Sequence, residues 1–166
     1  MTRQDSDIRQ QLAEWSKNVK RMVVVGIGNP IRMDDYVGLK IIQDLKGKVS
    51  KNVLLIEAET VPENAAQEIA DFNPTHILLI DAGVMGLKPG ETRLVSFEQL
   101  SNFPAFSTHV LPLRVFCEYI ADMTKAQVAL LLIEPIETEF GEGLSPEIAG
   151  LAGHITQVIA DLFKTL

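Results

Sequence analysis

The sequence predicts an α/β fold: a three-layer α/β/α sandwich built on a parallel-dominated, twisted sheet of about five strands. Three observations predict it. Continuous apolar runs at 22–27, 77–80 and 128–133 read as strands buried on both faces, as parallel pairing requires. Segments of helical periodicity alternate with those runs. The chain has 166 residues, 46% of them hydrophobic, enough for one domain with one sizeable core.

Taken in order, residues 6–18 carry Ile8, Leu12 and Trp15 at helical spacing, which predicts a helical extension over 1–20 ahead of a single domain at 21–166. The first strand is 22–27. A helix over 35–46 follows, with Ile41, Ile42 and Leu45 on one face and Gly47 at its C-terminal end. Residues 53–56 form a second short strand. Thr60-Val61-Pro62-Glu63 matches a capping box and opens a helix that turns Ala66, Ile69 and Ala70 inward and stops before Asn73-Pro74. The third strand, 77–80, ends on Asp81. A glycine-rich loop over 83–90 leads to an edge strand at 93–96. Residues 109–123 read as a helix with Pro112 in its first turn, 128–133 as the last buried strand, and 134–143 as a polar loop. Ser145-Pro146-Glu147 caps a final helix whose Ile148, Leu151, Ile155, Val158, Ile159 and Leu162 form one stripe.

Composition narrows the function. The formal charge is −7, a poor match to phosphate backbones, so no nucleic-acid partner is expected. No apolar run reaches the length of a membrane span, and the first twenty residues are polar and mixed in charge, unlike a signal peptide. The single cysteine, Cys117, excludes an internal disulfide and any CxxC metal site, and midway along a helix it reads as buried and inert. A cytoplasmic protein without membrane insertion is the expectation.

The most informative stretch is Gly26-Ile27-Gly28-Asn29-Pro30-Ile31-Arg32-Met33-Asp34-Asp35, a turn at the carboxyl end of a buried strand. Open α/β sheets place their binding crevice there. A dinucleotide fingerprint fails because Ile31 stands where the third glycine belongs. Either carboxylate could cap the next helix, but one cap suffices; Asp34 is assigned to capping and Asp35 to chemistry. Asp81 closes an apolar strand, where a bare carboxylate is costly to bury; it faces the same crevice or binds nearby backbone N–H groups. His109 follows Ser107-Thr108 at a helix start, a position that favours neutral imidazole able to ligate a metal and equally suits a surface or capping residue. His76 and His154 read as structural. Two carboxylates and one imidazole, Asp35, Asp81 and His109, suit a divalent cation with open positions, such as nickel, zinc or iron.

Four ordered blocks sharpen this. They are Gly26-Ile27-Gly28-Asn29 with Asp34-Asp35-Tyr36-Val37-Gly38; Thr60-Val61-Pro62-Glu63-Asn64; Leu79-Ile80-Asp81-Ala82 with Met85-Gly86-Leu87-Lys88-Pro89-Gly90-Glu91; and Ser107-Thr108-His109 with Leu111-Pro112-Leu113. Together they resemble the [NiFe]-hydrogenase maturation proteases, in the branch serving formate-hydrogenlyase-type hydrogenases. The resemblance implies an endopeptidase, aspartic-type by family classification, that trims the C-terminal extension of a nickel-loaded large-subunit precursor. It places the metal contacts on Asp35, Asp81 and His109, with nickel presented by the substrate rather than held tightly by the free enzyme; a monomer is the expectation. The family's Asp-Gly-Gly-Thr-like turn is implicated in cleavage; here it corresponds to Glu57-Ala58-Glu59-Thr60, so Glu57 becomes a further catalytic candidate and the glycines are replaced. The metal could polarise the scissile carbonyl or activate water, or a carboxylate could act as general base. Two alternatives stand beside this reading. Val25-Gly26-Ile27-Gly28-Asn29-Pro30 also resembles the start of peptidyl-tRNA hydrolases, although the histidine those enzymes place after the turn is missing. A non-catalytic nickel-recognition chaperone could use the same three residues for binding alone.

Overall fold

The computed structural model describes residues 3–100 and 110–166, with side chains over 7–100 and 112–166. The five strands are β1 (Met22–Ile27), β2 (Val53–Glu59), β3 (His76–Ala82), β4 (Thr92–Ser96) and β5 (Gln127–Ile133). They form one sheet in the order β2-β1-β3-β5-β4. All pairs are parallel except β4 with β5, where Thr92 lies opposite Ile133 at the edge. The helices are α1 (Arg3–Trp15), α2 (Val37–Leu45), α3 (Ala66–Phe72), the short α4 (Phe97–Leu100), α5 (Val110–Thr124) and α6 (Pro146–Phe163).

The three layers follow from strand alternation. Met22, Val24, Leu78, Ile80 and Leu131 point to one face, under α1, α2 and α6. Val23, Val25, Ile77, Leu79 and Leu130 point to the other, under α3 and α5. Both faces are covered, which is why β1 and β3 are buried at every residue. The N-terminal helix joins the first layer through Ile8 and Leu12. No helix among the described residues is long and apolar enough to cross a membrane.

Several local expectations give way to tertiary contacts. The second strand runs to Glu59 rather than 56, with a register shift at Gly26/Ile27 that lets Glu57 and Glu59 follow one another in the pairing. The capping box at Thr60 does not form: a 3-10 turn, Pro62–Ala65, precedes α3, and its cap, Val61, makes no side-chain bond. Ser145 starts α6 without capping it through its side chain, and Pro146 takes the first helical position. The helix after β1 opens as a 3-10 turn, Met33–Tyr36, before α2.

One approach places α2. Gly26 lies in β1 and Gly38 in the first turn of α2. A Cβ on Gly38 would strike the carbonyl oxygens of Ile27 and Ile80, and one on Gly26 would strike the Gly38 carbonyl. The helix therefore starts directly over the ends of β1 and β3. Gly38→Ala is expected to destabilise the fold by about 1–3 kcal/mol through overpacking. Gly150→Ala should instead stabilise it by up to about 1 kcal/mol through helix propensity, because nothing lies within 4 Å of a Cβ there. Urea unfolding of the two variants, both in helices, checks the contrast.

Candidate functional site

β1 is flanked by β2 on one side and β3 on the other, so the chain's winding reverses between β1 and β3. At such a point the connecting segments diverge and leave a crevice beyond the carboxyl ends of the strands. Here it measures about 260 Å³. Ile27 and Gly28 line it from the end of β1, Asp35 from the 3-10 turn and Asp81 from β3. Thr60, Pro62 and Glu63 contribute from the segment after β2, and Pro112 and Leu113 from the first turn of α5.

Asp81 is buried, at 6% exposure. Burial pushes its carboxyl well above the usual carboxylate range, the charge of Asp35 pushes it further, and a backbone hydrogen bond at Ala82 opposes them. Asp35 is half-buried, and its Oδ2 accepts the Asn29 N–H at 3.1 Å. Asn29 in turn accepts the Ile31 N–H through its side-chain oxygen at 3.1 Å, and Gly28 N–H donates to the Glu59 carbonyl at 2.8 Å. The carboxylate is thus aimed by the glycine-bearing turn. Two carboxyl groups facing one crevice favour a shared proton or a cation between them. Among the described residues no three of His, Cys, Asp and Glu meet as a metal-holding group. His109 lies outside the described residues; Pro112 and Leu113, just beyond it in the chain, reach the crevice.

Asp34 does not cap its own turn, contrary to the sequence expectation. It is fully buried and reaches across to the segment between β5 and α6. Its Oδ2 accepts the N–H groups of Ile136 at 3.0 Å and Glu137 at 2.9 Å, and its Oδ1 accepts the Ser145 N–H at 2.8 Å. The Ser145 hydroxyl donates to the same carboxylate, which is why it leaves α6 uncapped. Backbone bonds from Met33 to Gly141 and from Gly141 to Ile31 complete the seam. A third buried carboxylate, Glu134, accepts the Met85 N–H at 2.7 Å and ties down the loop between β3 and β4. Sequence reading passed over Glu134, yet it closes the apolar run of β5 as Asp81 closes that of β3. Asp34→Asn turns an N–H donor toward N–H donors. It is expected to cost about 3 kcal/mol and to speed amide hydrogen exchange at Ile136, Glu137 and Ser145.

Glu57 is not among the residues lining the crevice. It stands on the α2 side of β2, where hydrogen bonds from Lys46 at 2.8 Å and Gln43 at 2.7 Å hold its carboxyl below the usual range. Gln43 accepts the Tyr36 hydroxyl in turn. Glu59 has φ 52, the left-handed geometry that glycine takes most easily. His76 is buried in β3, its ring edge-on to Trp15 with centroids 5.2 Å apart, and burial lowers its pKa. Cys117 is buried in α5, and burial pushes its thiol up to about 12, which leaves it unreactive.

The profile of the HycI hydrogenase maturation protease family matches residues 39–162. A Methanocaldococcus jannaschii protein assigned as a hydrogenase maturation protease is 33% identical over 167 residues, covering 96% of this chain and 98% of its own. The hydrogenase 3 maturation protease of Escherichia coli is 28% identical over 144 residues, 87% of this chain and 85% of its own. The crystal structure of the [NiFe] hydrogenase maturation protease HycI from Thermococcus kodakarensis matches with a TM-score of 0.86 at 31% identity, over 93% of this chain and 99% of that one. These matches support the peptidase reading over the peptidyl-tRNA hydrolase alternative. With 124 of its 166 residues inside the profile and the five-stranded sheet shared, the chain belongs to the hydrogenase maturation protease family.

Proposed function

We propose that this endopeptidase removes the C-terminal extension of a nickel-loaded [NiFe]-hydrogenase large-subunit precursor, working as a monomer in the cytoplasm. Asp35, Asp81 and His109 read the nickel that the precursor carries. The observation behind this is the pair of carboxyl groups, Asp35 and Asp81, facing one crevice at the switch point of the sheet. A cation carried in by a substrate offsets the repulsion between them, and donors from the precursor fill the positions they leave open. Asp81 must give up any proton it holds when the cation arrives, so docking strengthens with rising pH.

Cleavage needs water to attack the scissile carbonyl carbon, the C–N bond to break and a proton to reach the departing amine. A carboxylate of the pair is placed to accept the proton of the attacking water and pass it on, an aspartic-type route; polarisation of the carbonyl by the precursor's nickel is the other route. Glu57 is proposed as a further carboxylate of this reaction although Lys46 and Gln43 hold it outside the crevice; Glu57→Gln is expected to slow tail release, and an unchanged rate removes it from the reaction.

Asp35→Asn, Asp81→Asn and His109→Ala are each expected to abolish tail release, read by mass, while circular dichroism stays unchanged. Wild-type rates in Asp81→Asn would refute its role. Nickel-loaded precursor should be cut and nickel-free precursor should not; equal rates would favour the metal-independent carboxylate route and remove nickel recognition, and release from neither by the wild type would refute the endopeptidase assignment.

The raised pKa of Asp81 also predicts a stability profile in metal-free buffer. Its folded value lies above its unfolded value of about 4, so the folded state holds the proton more tightly. Its contribution to stability is complete below that unfolded value and is lost as pH rises through the folded one. Asp81→Asn should therefore gain on the wild type as pH rises from acid to neutral, measured by urea unfolding across that range.

A further inference from the structure

We infer that a ridge formed by Ile31, Arg32, Ile136 and Phe140 is the surface on which the folded body of the protein substrate docks, beside the crevice that takes its tail. The inference rests on the endopeptidase reading above. Phe140 is 70% exposed, Ile31 54% and Ile136 43%. The backbones of Ile31 and Ile136 are not slack. Ile31 N–H donates to Asn29, the Ile31 carbonyl accepts Gly141 N–H, and Ile136 N–H donates to the buried carboxylate of Asp34. The fold therefore holds large apolar side chains in water on hydrogen-bonded loops. Apolar area left exposed this way is removed from water only when a partner covers it.

Arg32 adds a recognition element. Its guanidinium lies 4.5 Å from the centroid of the Phe140 ring. No carboxylate among the described residues pairs with it, although the chain carries a net charge of −7. An aromatic ring with a stacked arginine is the composition that anchors protein interfaces. The matching partner is an apolar protein surface bordered by an acidic group.

Location selects the occupant. Of the eight exposed large apolar side chains among the described residues, five follow the carboxyl ends of strands: Ile31, Val61, Val84, Ile136 and Phe140. The ridge shares the turn that carries Asp35. A second copy of the chain seated there would crowd the crevice that a protein tail must enter, whereas a substrate threading its tail between Asp35 and Asp81 would cover the ridge with its body.

The test follows tail release from nickel-loaded precursor by the full chain and by its Phe140→Ser, Ile136→Ser and Phe140→Trp variants. Phe140→Ser and Ile136→Ser should each raise KM about tenfold with kcat within about twofold, since they remove docking energy and leave the reacting groups in place. Phe140→Trp should restore the wild-type KM. An unchanged KM in both serine variants overturns the ridge while the wild type's tail release leaves the endopeptidase reading standing. A wild type that sediments as a dimer, dispersed by Phe140→Ser, also overturns it and assigns the ridge to a second copy. No tail release by the wild type overturns both.

Discussion

The site depends on the contact between α2 and the sheet, which no Cβ could occupy. Gly38 rests against the carbonyl oxygens of Ile27 at the end of β1 and Ile80 near the end of β3, and Gly26 lies beneath it. Backbone on backbone brings the turn carrying Asp35 down over the strand carrying Asp81. Any side chain at either glycine would lift the turn away and widen the gap between the two carboxyl groups. The chain accepts the entropic penalty of glycine in a helix and a strand to obtain that approach.

Two buried carboxylates then hold the loops around this contact. Asp34 draws the 134–145 segment against the Asp35 turn, and Glu134 secures the loop between β3 and β4. Each is compensated by N–H donors, as a buried charge requires. Asp81 is different: burial and the neighbouring Asp35 both work against its charge, and among the described residues a backbone bond at Ala82 opposes them. The compensated pair Asp34 and Glu134 maintains the architecture. Asp81, whose surroundings oppose its charge, lines the crevice, and perturbed carboxyl groups in clefts are where function concentrates.

The same rigid loops explain how exposed apolar surface persists without collapsing. Ile31 and Ile136 cannot fold inward because their backbones are already committed to the seam around Asp34, and Phe140 directly precedes Gly141, which bonds Ile31. An acidic chain with one arginine stacked on this apolar ground presents charge and hydrophobicity together at the edge of the crevice. Recognition of a protein and cleavage of its tail would then fall to neighbouring parts of one loop system.

Much of this was written in local sequence. The first strand agrees at both ends and the third and fifth to within two residues, because strands buried on both faces leave unbroken apolar runs. Asp35 and Asp81 could be assigned to one crevice because parallel α/β topology sends the carboxyl ends of strands to the same edge. The glycine-bearing turn, the lone buried cysteine and the helical stripes were legible for the same local reasons. What sequence could not decide was the choice among partners for short polar side chains. Thr60 and Ser145 both look like helix caps, yet Ser145 gives its hydroxyl to Asp34, more than a hundred residues away in the chain. Asp34 and Asp35 are adjacent and chemically identical; one became a buried strut and the other a crevice wall because successive residues of a tight turn point to different neighbours. Hydrophobic periodicity is a one-dimensional signal and survives in the sequence. The destination of a carboxylate depends on which N–H groups the folded chain brings to it, and only the tertiary structure settles that.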